Sequence, residues 1–455
     1  MKLEEYGNYD GLGLAGLVAK GEVTPAEVTA CALEAIERLN PRINAVIEVF
    51  EDRKAPAPQD LADGRFKGVP FLIKDLVIHE AGRLCEMGSR LTKGNVAPHD
   101  ADLMVRFRDA GVNNLGRTTS PELGFSCNTV SLANGSTRGP WNLERTAGGS
   151  SGGSCAAVAA GMVPIAHADD GGGSIRIPAS VNGLVGLKPT RGRTPMGPDV
   201  ADGLNGLGIE FAVSRTVRDS AAMMDAVEGP GIGDPYVIAR PGRPYLDEVT
   251  TNPGKLRIAV SANPPSGVPV DAAVRLAFDA TVALCGELGH EILEAEPAID
   301  YPLFRQTNLT VWTTSTAVWI GEAAAASART PSLDNLESTT LACYEAGMKV
   351  SAADLQRALG AFNLFNRAVG NFFEEYDVLL TPTTAQLAWK LGAMDSNTPG
   401  LDAAAWYDHI FSFCPFTALF NVTGNPAISL PLSMSDGGLP IGMQFVGRYG
   451  AERSR

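Results

Sequence analysis

Two rhythms of apolar and polar positions run along this chain, and the switches between them mark its elements. Thr24-Pro25-Ala26-Glu27 is a capping box with proline at the first helical position. Val28, Ala32, Ala35, Ile36 and Leu39 then recur at helical spacing, which predicts a helix stopped by Asn40–Pro41. Residues 53–67 are loop-like, and Gly68 to Lys74 reads as a strand that delivers Lys74 at its end. Asp100 to Ala110 predicts a helix closed by Gly111, followed by a strand through GVNNLGRT. Two asparagines in a buried strand, Asn113 and Asn114, would each need hydrogen-bond partners.

Further on, the pattern predicts a capped helix over Thr216 to Val227, a strand over Lys255 to Val260 and a helix over Val274 to Leu288. A strand begins at Glu291. Ser351 to Tyr376 is the longest helical pattern, with Leu355, Leu359, Phe362, Phe365 and Val369 on one face. Asp377 to Thr384, Asn421 to Pro431 and Pro440 to Gly447 read as strands that complete a sheet. Aromatic residues cluster at 301–350 (Phe304, Trp312, Trp319, Tyr344) and again from Trp406 to Phe420. Such residues either shape a pocket or fill the core. No linker-like segment divides the chain, so residues 1–455 read as a single domain.

The chemistry concentrates between Gly148 and Pro178, GGSSGGSCAAVAAGMVPIAHADDGGGSIRIP. A first glycine-serine cluster, Gly148 to Ser154, precedes a short helix over Ala156 to Ala160 that Gly161 ends. Met162 to Ala168 reads as a buried strand, and a second cluster, Gly171 to Ser174, follows it. Glycines let backbone N–H groups converge on one point, so those at Gly171, Gly172, Gly173 and Ser174 are placed to stabilise an oxyanion. Ser174 is then a candidate nucleophile, and Ser150–Ser151 a second hydroxyl pair to relay its proton. No histidine of the usual kind supplies a base. Lys74, flanked by Phe71, Leu72, Ile73, Leu76 and Val77, should be partly desolvated, which favours the neutral amine.

Other readings of the same residues exist. GGSSGGS alone suits a flexible linker, and Gly148 to Gly152 also fits a G-x-S-x-G nucleophile elbow. That elbow needs a later histidine, and only His290 and His409 lie far enough downstream, neither in a recognisable context. Lys74 could simply pair with Asp75 at a strand end.

The motifs in order resemble the amidase-signature family: KD at Lys74–Asp75, GGSSGG at Gly148 to Gly153, DGGGSIRIPAS at Asp170 to Ser180, and VGLKPTRGR at Val185 to Arg193. NPAISLPL and GLPIGMQFVG extend the resemblance almost to the end. It implies an α/β amidase-signature fold, a large twisted mixed β-sheet core covered by helices on both faces. It also implies a triad of Ser174 as nucleophile, Ser150 as a bridging serine after a cis peptide, and Lys74 as base. Ser151 would orient the relay, and Asp170 with Arg176 would brace the loop. Within the family, AHADDGGGSIRIPASVNGLVGLKPTRGR is similar to the 6-aminohexanoate cyclic-dimer hydrolases, which implies a small neutral linear or cyclic amide as substrate and a homodimer. Two alternatives are an amidotransferase A-type subunit acting on charged tRNA, a branch that resembles SIRQPA where this chain has Ile177, and a non-catalytic binding relative. The chain departs from the family at Asn113 and Asn114, where relatives are apolar, and at Gly139 before Pro140. Either the first of these strands is less buried than usual or the sequence has drifted there. Relatives usually continue past RYGAERSR with another helix, so apolar surface is expected to be left uncovered here.

Composition narrows the partners. A net charge of −14 argues against nucleic acid and anionic membranes. Seven scattered cysteines, none in C-x-x-C, read as reduced thiols in a cytoplasmic protein. The opening MKLEEYGNYD lacks the apolar core of a secretory signal. No P-loop or H-E-x-x-H occurs, and the five histidines show no ligand spacing, so neither cofactor nor metal is expected.

Overall fold

A computed structural model describes residues 1–452. Its first long helix, α1 (Pro25–Ile43), starts where expected: Thr24 accepts from the Glu27 N–H while the Glu27 carboxylate accepts from the Thr24 N–H. It runs one turn past the expected stop, with Pro41 inside its last turn and Asn44 in the left-handed region. The Asn40 side chain replaces the missing turn signal. Its Oδ1 accepts from the N–H groups of Ala45 and Val46, turning the chain into the first strand.

That strand, β1 (Val46–Val49), pairs antiparallel with β3 (Asn113–Thr118), which in turn runs parallel to β2 (Pro70–Lys74). β3 is buried throughout, and both its asparagines donate through Nδ2, although Asn113 Oδ1 has no partner among the described residues. Asn113 Nδ2 donates to Thr29 Oγ1 and Arg53 O, both at 3.0 Å, and Asn114 Nδ2 donates to Glu80 Oε2 at 2.7 Å. The strand is thus as buried as an apolar one would be, with side-chain hydrogen bonds making up the difference.

The main sheet has eight strands: β4 (Ile165–Asp170), β5 (Val185–Lys188), β6 (Ile209–Ser214), β7 (Arg257–Val260), β8 (Glu291–Glu294), β9 (Val378–Pro382), β10 (Ala427–Met434) and β11 (Pro440–Gly447). Their spatial order is β8-β7-β9-β11-β10-β5-β6-β4. β7 runs parallel to β8 and β9, and the remaining pairs are antiparallel. Two short helices carry the glycine loops, α2 (Gly152–Ala159) and α3 (Arg176–Asn182). Three long ones follow, α4 (Ala272–Glu287), α5 (Tyr301–Ser327) and α6 (Ala352–Glu375).

Strand alternation sorts the sheet's side chains onto two helical layers. Ile258, Val260, Val378 and Leu380 pack with Val274 and Phe278 of α4. Ala259 and Leu379, the residues between them, pack with Val369 and Phe373 of α6. The fold is therefore a large mixed sheet between helices, as the resemblance implied. A further apolar cluster joins α1, α2, the three-stranded sheet and β4, and it fixes where Lys74 meets the glycine loops.

Two elements have boundaries other than the expected ones, both next to the site. α2 begins at Gly152, within the first glycine cluster, and β4 begins at Ile165 and ends at Asp170. Gly161 adopts φ +77°, and the turn it makes carries the chain to Pro164 before pairing starts. The shift brings both Asp169 and Asp170 into the strand.

Candidate active site

Lys74 closes β2 and is fully buried. Its Nζ lies 2.6 Å from Ser150 Oγ and 2.6 Å from Asp169 Oδ1. Burial pushes the ammonium toward deprotonation, and the Asp169 carboxylate pulls in the opposite direction, leaving the pKa below that of an ordinary lysine. Asp75 plays no part in this. Adjacent strand positions face opposite ways, and Asp75 instead accepts from Arg117 Nη1 at 2.7 Å and from the Glu86 N–H at 2.8 Å.

The peptide between Gly149 and Ser150 is cis. Ser151 ties the first loop to both neighbours: its N–H donates to Ser174 O at 3.3 Å and its hydroxyl donates to Asp169 O at 3.1 Å. Ser150 and Ser174 line one cavity. Their hydroxyls are not hydrogen-bonded to each other, so the continuous Lys74–Ser150–Ser174 chain expected from the resemblance is formed only in its first half. Ser150 Oγ is held by Lys74, and the Ser174 hydroxyl is left to the cavity. Catalytic hydrogen bonds of this kind are commonly long in a resting site and tighten on substrate.

The second loop corrects the oxyanion set. Gly173, at φ +137°, donates its N–H to Asp170 Oδ1 at 2.7 Å, so that donor is spent within the loop. The N–H groups of Gly171, Gly172 and Ser174 have no partner among the described residues. They remain the donors available to an oxyanion.

Asp170 and Arg176 hold this loop. Arg176 is fully buried, donating Nε to Asp170 Oδ2 and Nη2 to Asp170 Oδ1, each at 2.8 Å. Its remaining donors reach Gln444 Oε1, Thr417 O and Asn421 Oδ1. Burial alone would raise the Asp170 carboxyl, but the guanidinium overrides it and the pKa falls to about 2.

Asp169 is the site residue that sequence reasoning missed. It sits opposite Glu210 on β6, and both are buried. Burial raises both carboxyls, and for Asp169 the nearby Lys74 ammonium opposes this. His167, two residues earlier on the same face, is buried and held neutral by desolvation and the Lys74 charge. The available signal was the doubled acid in ADDGGGS. Two successive acids leaving a buried strand must face opposite ways, so one of them had to meet a cation other than Arg176.

The cavity in front of the serines measures about 420 Å³. Leu123, Phe125, Leu204, Trp312, Val318 and Trp319 give it apolar walls. Of the 301–350 aromatics, Trp312 and Trp319 line it, whereas Phe304 packs into the core against Phe365. The aromatics from Trp406 to Phe420 do not line it. They back it, with Phe411 edge-on to Trp312 at 6.4 Å and Trp406 Nε1 donating to Phe125 O.

Known proteins share this sequence pattern and fold. The profile of the Amidase family matches residues 27–454. The chain belongs to the amidase family. The 6-aminohexanoate-cyclic-dimer hydrolase of Pseudomonas sp. (strain NK87) is 37% identical to it, over 97% of this chain and 92% of that protein. A solved 6-aminohexanoate cyclic dimer hydrolase superposes with a TM-score of 0.92 at 36% identity, over 98% of this chain and 94% of the other. A bacterial aryl acylamidase of the amidase-signature enzymes superposes at 0.84 with 26% identity, over 97% and 93% of the two chains. This amidase-family chain is accordingly a hydrolase acting on carbon–nitrogen bonds other than peptide bonds. No helix among its described residues is long and apolar enough to cross a membrane.

Proposed function

We propose that the chain cleaves a small neutral amide through an acyl-enzyme on Ser174. Ser174 Oγ attacks the amide carbonyl while its proton passes to Ser150, and the Ser150 proton passes to neutral Lys74. The N–H groups of Gly171, Gly172 and Ser174 hold the oxyanion. Collapse breaks the C–N bond, and the Lys74 proton returns through Ser150 to the leaving nitrogen. Water then attacks the ester by the same relay and releases the acid. The observation that carries this reading is the 2.6 Å contact of a buried Lys74 with Ser150, behind a cavity that also holds Ser174.

The walls support the substrate class. No lysine or arginine lines the cavity, and its walls combine apolar and aromatic side chains with carboxylates, among them Asp199, Asp202 and Glu322. The carboxylates disfavour an anionic substrate, while the aromatic walls suit a neutral linear or cyclic amide such as the 6-aminohexanoate cyclic dimer. The test is a panel comparing that dimer, aliphatic amides and aryl acylamides with glutamine and asparagine, followed by release of amine or ammonia. Faster turnover of glutamine or asparagine would overturn the assignment and favour an amidotransferase-like activity.

We read residues 1–455 as one domain, because Asn421 and Gln444 brace Arg176 beside the Ser174 loop, while Lys74 reaches Ser150 and Asp169 from the three-stranded sheet. A cytoplasmic homodimer is proposed from the resemblance, and the seven buried, unpaired cysteines support the reducing compartment.

A further inference from the structure

Beside the cavity, three loops bring together His79, His99 and Asp199, whose ligand atoms all lie within 4.8 Å of one another. His99 Nε2 stands 2.9 and 3.0 Å from the two Asp199 oxygens. His79 Nε2 stands 3.4 Å from Asp199 Oδ2. The two rings meet edge to face at 5.4 Å.

The orientation of His79 is the informative feature. Its Nδ1 lies 2.8 Å from Val77 O, and a carbonyl only accepts, so Nδ1 carries the hydrogen. In the neutral ring, Nε2 then presents a lone pair. That Nε2 is buried, has no hydrogen-bond partner, and faces a carboxylate oxygen. An ion pair between His99 and Asp199 accounts for those two residues alone. It leaves a second imidazole lone pair turned toward a carboxylate, an arrangement relieved only by a positive charge between them, a proton or a metal ion. A backbone carbonyl behind the imidazole is also the usual outer support of a metal-bound histidine.

We infer that His79, His99 and Asp199 bind one divalent transition-metal ion, of the zinc type that two imidazoles and a carboxylate suit. Tetrahedral metal–ligand bonds of about 2.0–2.2 Å put neighbouring donor atoms about 3.3–3.6 Å apart. The His79–Asp199 separation of 3.4 Å already falls within that range, and His99, now 2.9 and 3.0 Å from the Asp199 oxygens, would move outward slightly to admit the ion. The His99 and Asp199 side chains are half exposed, which leaves open positions to water.

The site is distinct from the serine chemistry but touches its cavity. Val77 and Asp199 both line that cavity, one on the loop after Lys74 and the other at the start of the loop through Asn205. A bound ion would pin those two loops together as one wall. Its effect therefore belongs to substrate affinity rather than to bond cleavage.

The test starts with full-length protein dialysed against a chelator and titrated with Zn²⁺ by calorimetry, with Co²⁺ as a visible-absorption probe. The inference expects one ion per chain, a higher Tm with Zn²⁺, and a Co²⁺ band typical of nitrogen and oxygen ligands. His79→Ala and His99→Ala should each weaken binding at least tenfold, and Zn²⁺ should lower KM more than it changes kcat. Absence of binding by the parent protein at millimolar Zn²⁺ would overturn the inference, as would unchanged affinity in His99→Ala. His99 lies at the exposed edge, so its variant decides the matter even if His79→Ala fails to fold.

Discussion

At the scale of single residues, the account turns on the protonation of Lys74. Only the neutral amine accepts a proton, so kcat/KM should fall as pH drops through the Lys74 pKa. Asp169, 2.6 Å away, favours the ammonium, while burial disfavours it. Removing the Asp169 charge leaves burial unopposed and lowers the pKa further. Asp169→Asn should therefore move the acidic limb of kcat/KM to lower pH by about one unit or more, and Lys74→Ala should abolish both the limb and most of the activity. A pH–rate profile unchanged in Asp169→Asn would show that the carboxylate does not tune the base. The meeting of Lys74 with Ser150, and the opening of Ser150 and Ser174 onto one cavity, were legible because each residue stands in a motif whose neighbours declare its setting. Asp169 was not, because its role depends on where β4 ends, and the apolar run alone ended the strand two residues early. His79, His99 and Asp199 left no trace in sequence spacing, since three separate loops assemble them.

At the scale of elements, close approach decides where the serines sit. α2 lies so near β3 that a methyl on Gly153 would stand 2.4–2.6 Å from Thr119 Oγ1, O and N. Gly153→Ala should destabilise the protein by about 1–3 kcal/mol, as overpacking does, and should displace Ser150 with a matching loss of kcat. Urea unfolding and steady-state kinetics on the one variant check both. The helix α5 supplies the cavity wall, and Trp319 stands on it away from the glycine loops. Trp319→Ala should raise KM by about tenfold, the worth of a buried aromatic contact, with kcat changed less. Capping residues and helical periodicity made α1 and α6 readable to within a turn. Pro41 was misread as a stop because the Asn40 side chain, which turns the chain after the helix, acts through contacts that periodicity does not encode.

At the scale of the whole molecule, the Ser174 loop is held by a buried ionic knot that joins β4, α3, β11 and residues near 420. Arg176→Ala would strand the Asp170 carboxylate without its partner and should cost about 3–5 kcal/mol. The sign of the pH dependence follows from the lowered Asp170 pKa of about 2. Its stabilisation is present above the ordinary carboxylate pKa and is lost as pH falls toward 2. In Arg176→Ala burial pushes the unpaired Asp170 carboxyl up instead, so the variant's deficit against the parent should shrink as pH falls and the carboxyl protonates, which acid unfolding of both proteins followed by circular dichroism would record. The family and the sheet architecture were legible from the ordered motifs. The division of aromatics between wall and core was not, because helical spacing places Trp312 and Phe304 alike, and only packing separates them. The central claim remains that Ser174 is the nucleophile. Its most direct test is labelling with a fluorophosphonate, digestion and mass-spectrometric mapping of the modified peptide. The account predicts one adduct, on Ser174, absent from a folded Ser174→Ala variant whose hydrolysis has fallen by about 10⁴-fold or more. An adduct on Ser150 or Ser151, or a Ser174→Ala variant that still labels and still hydrolyses, would contradict it.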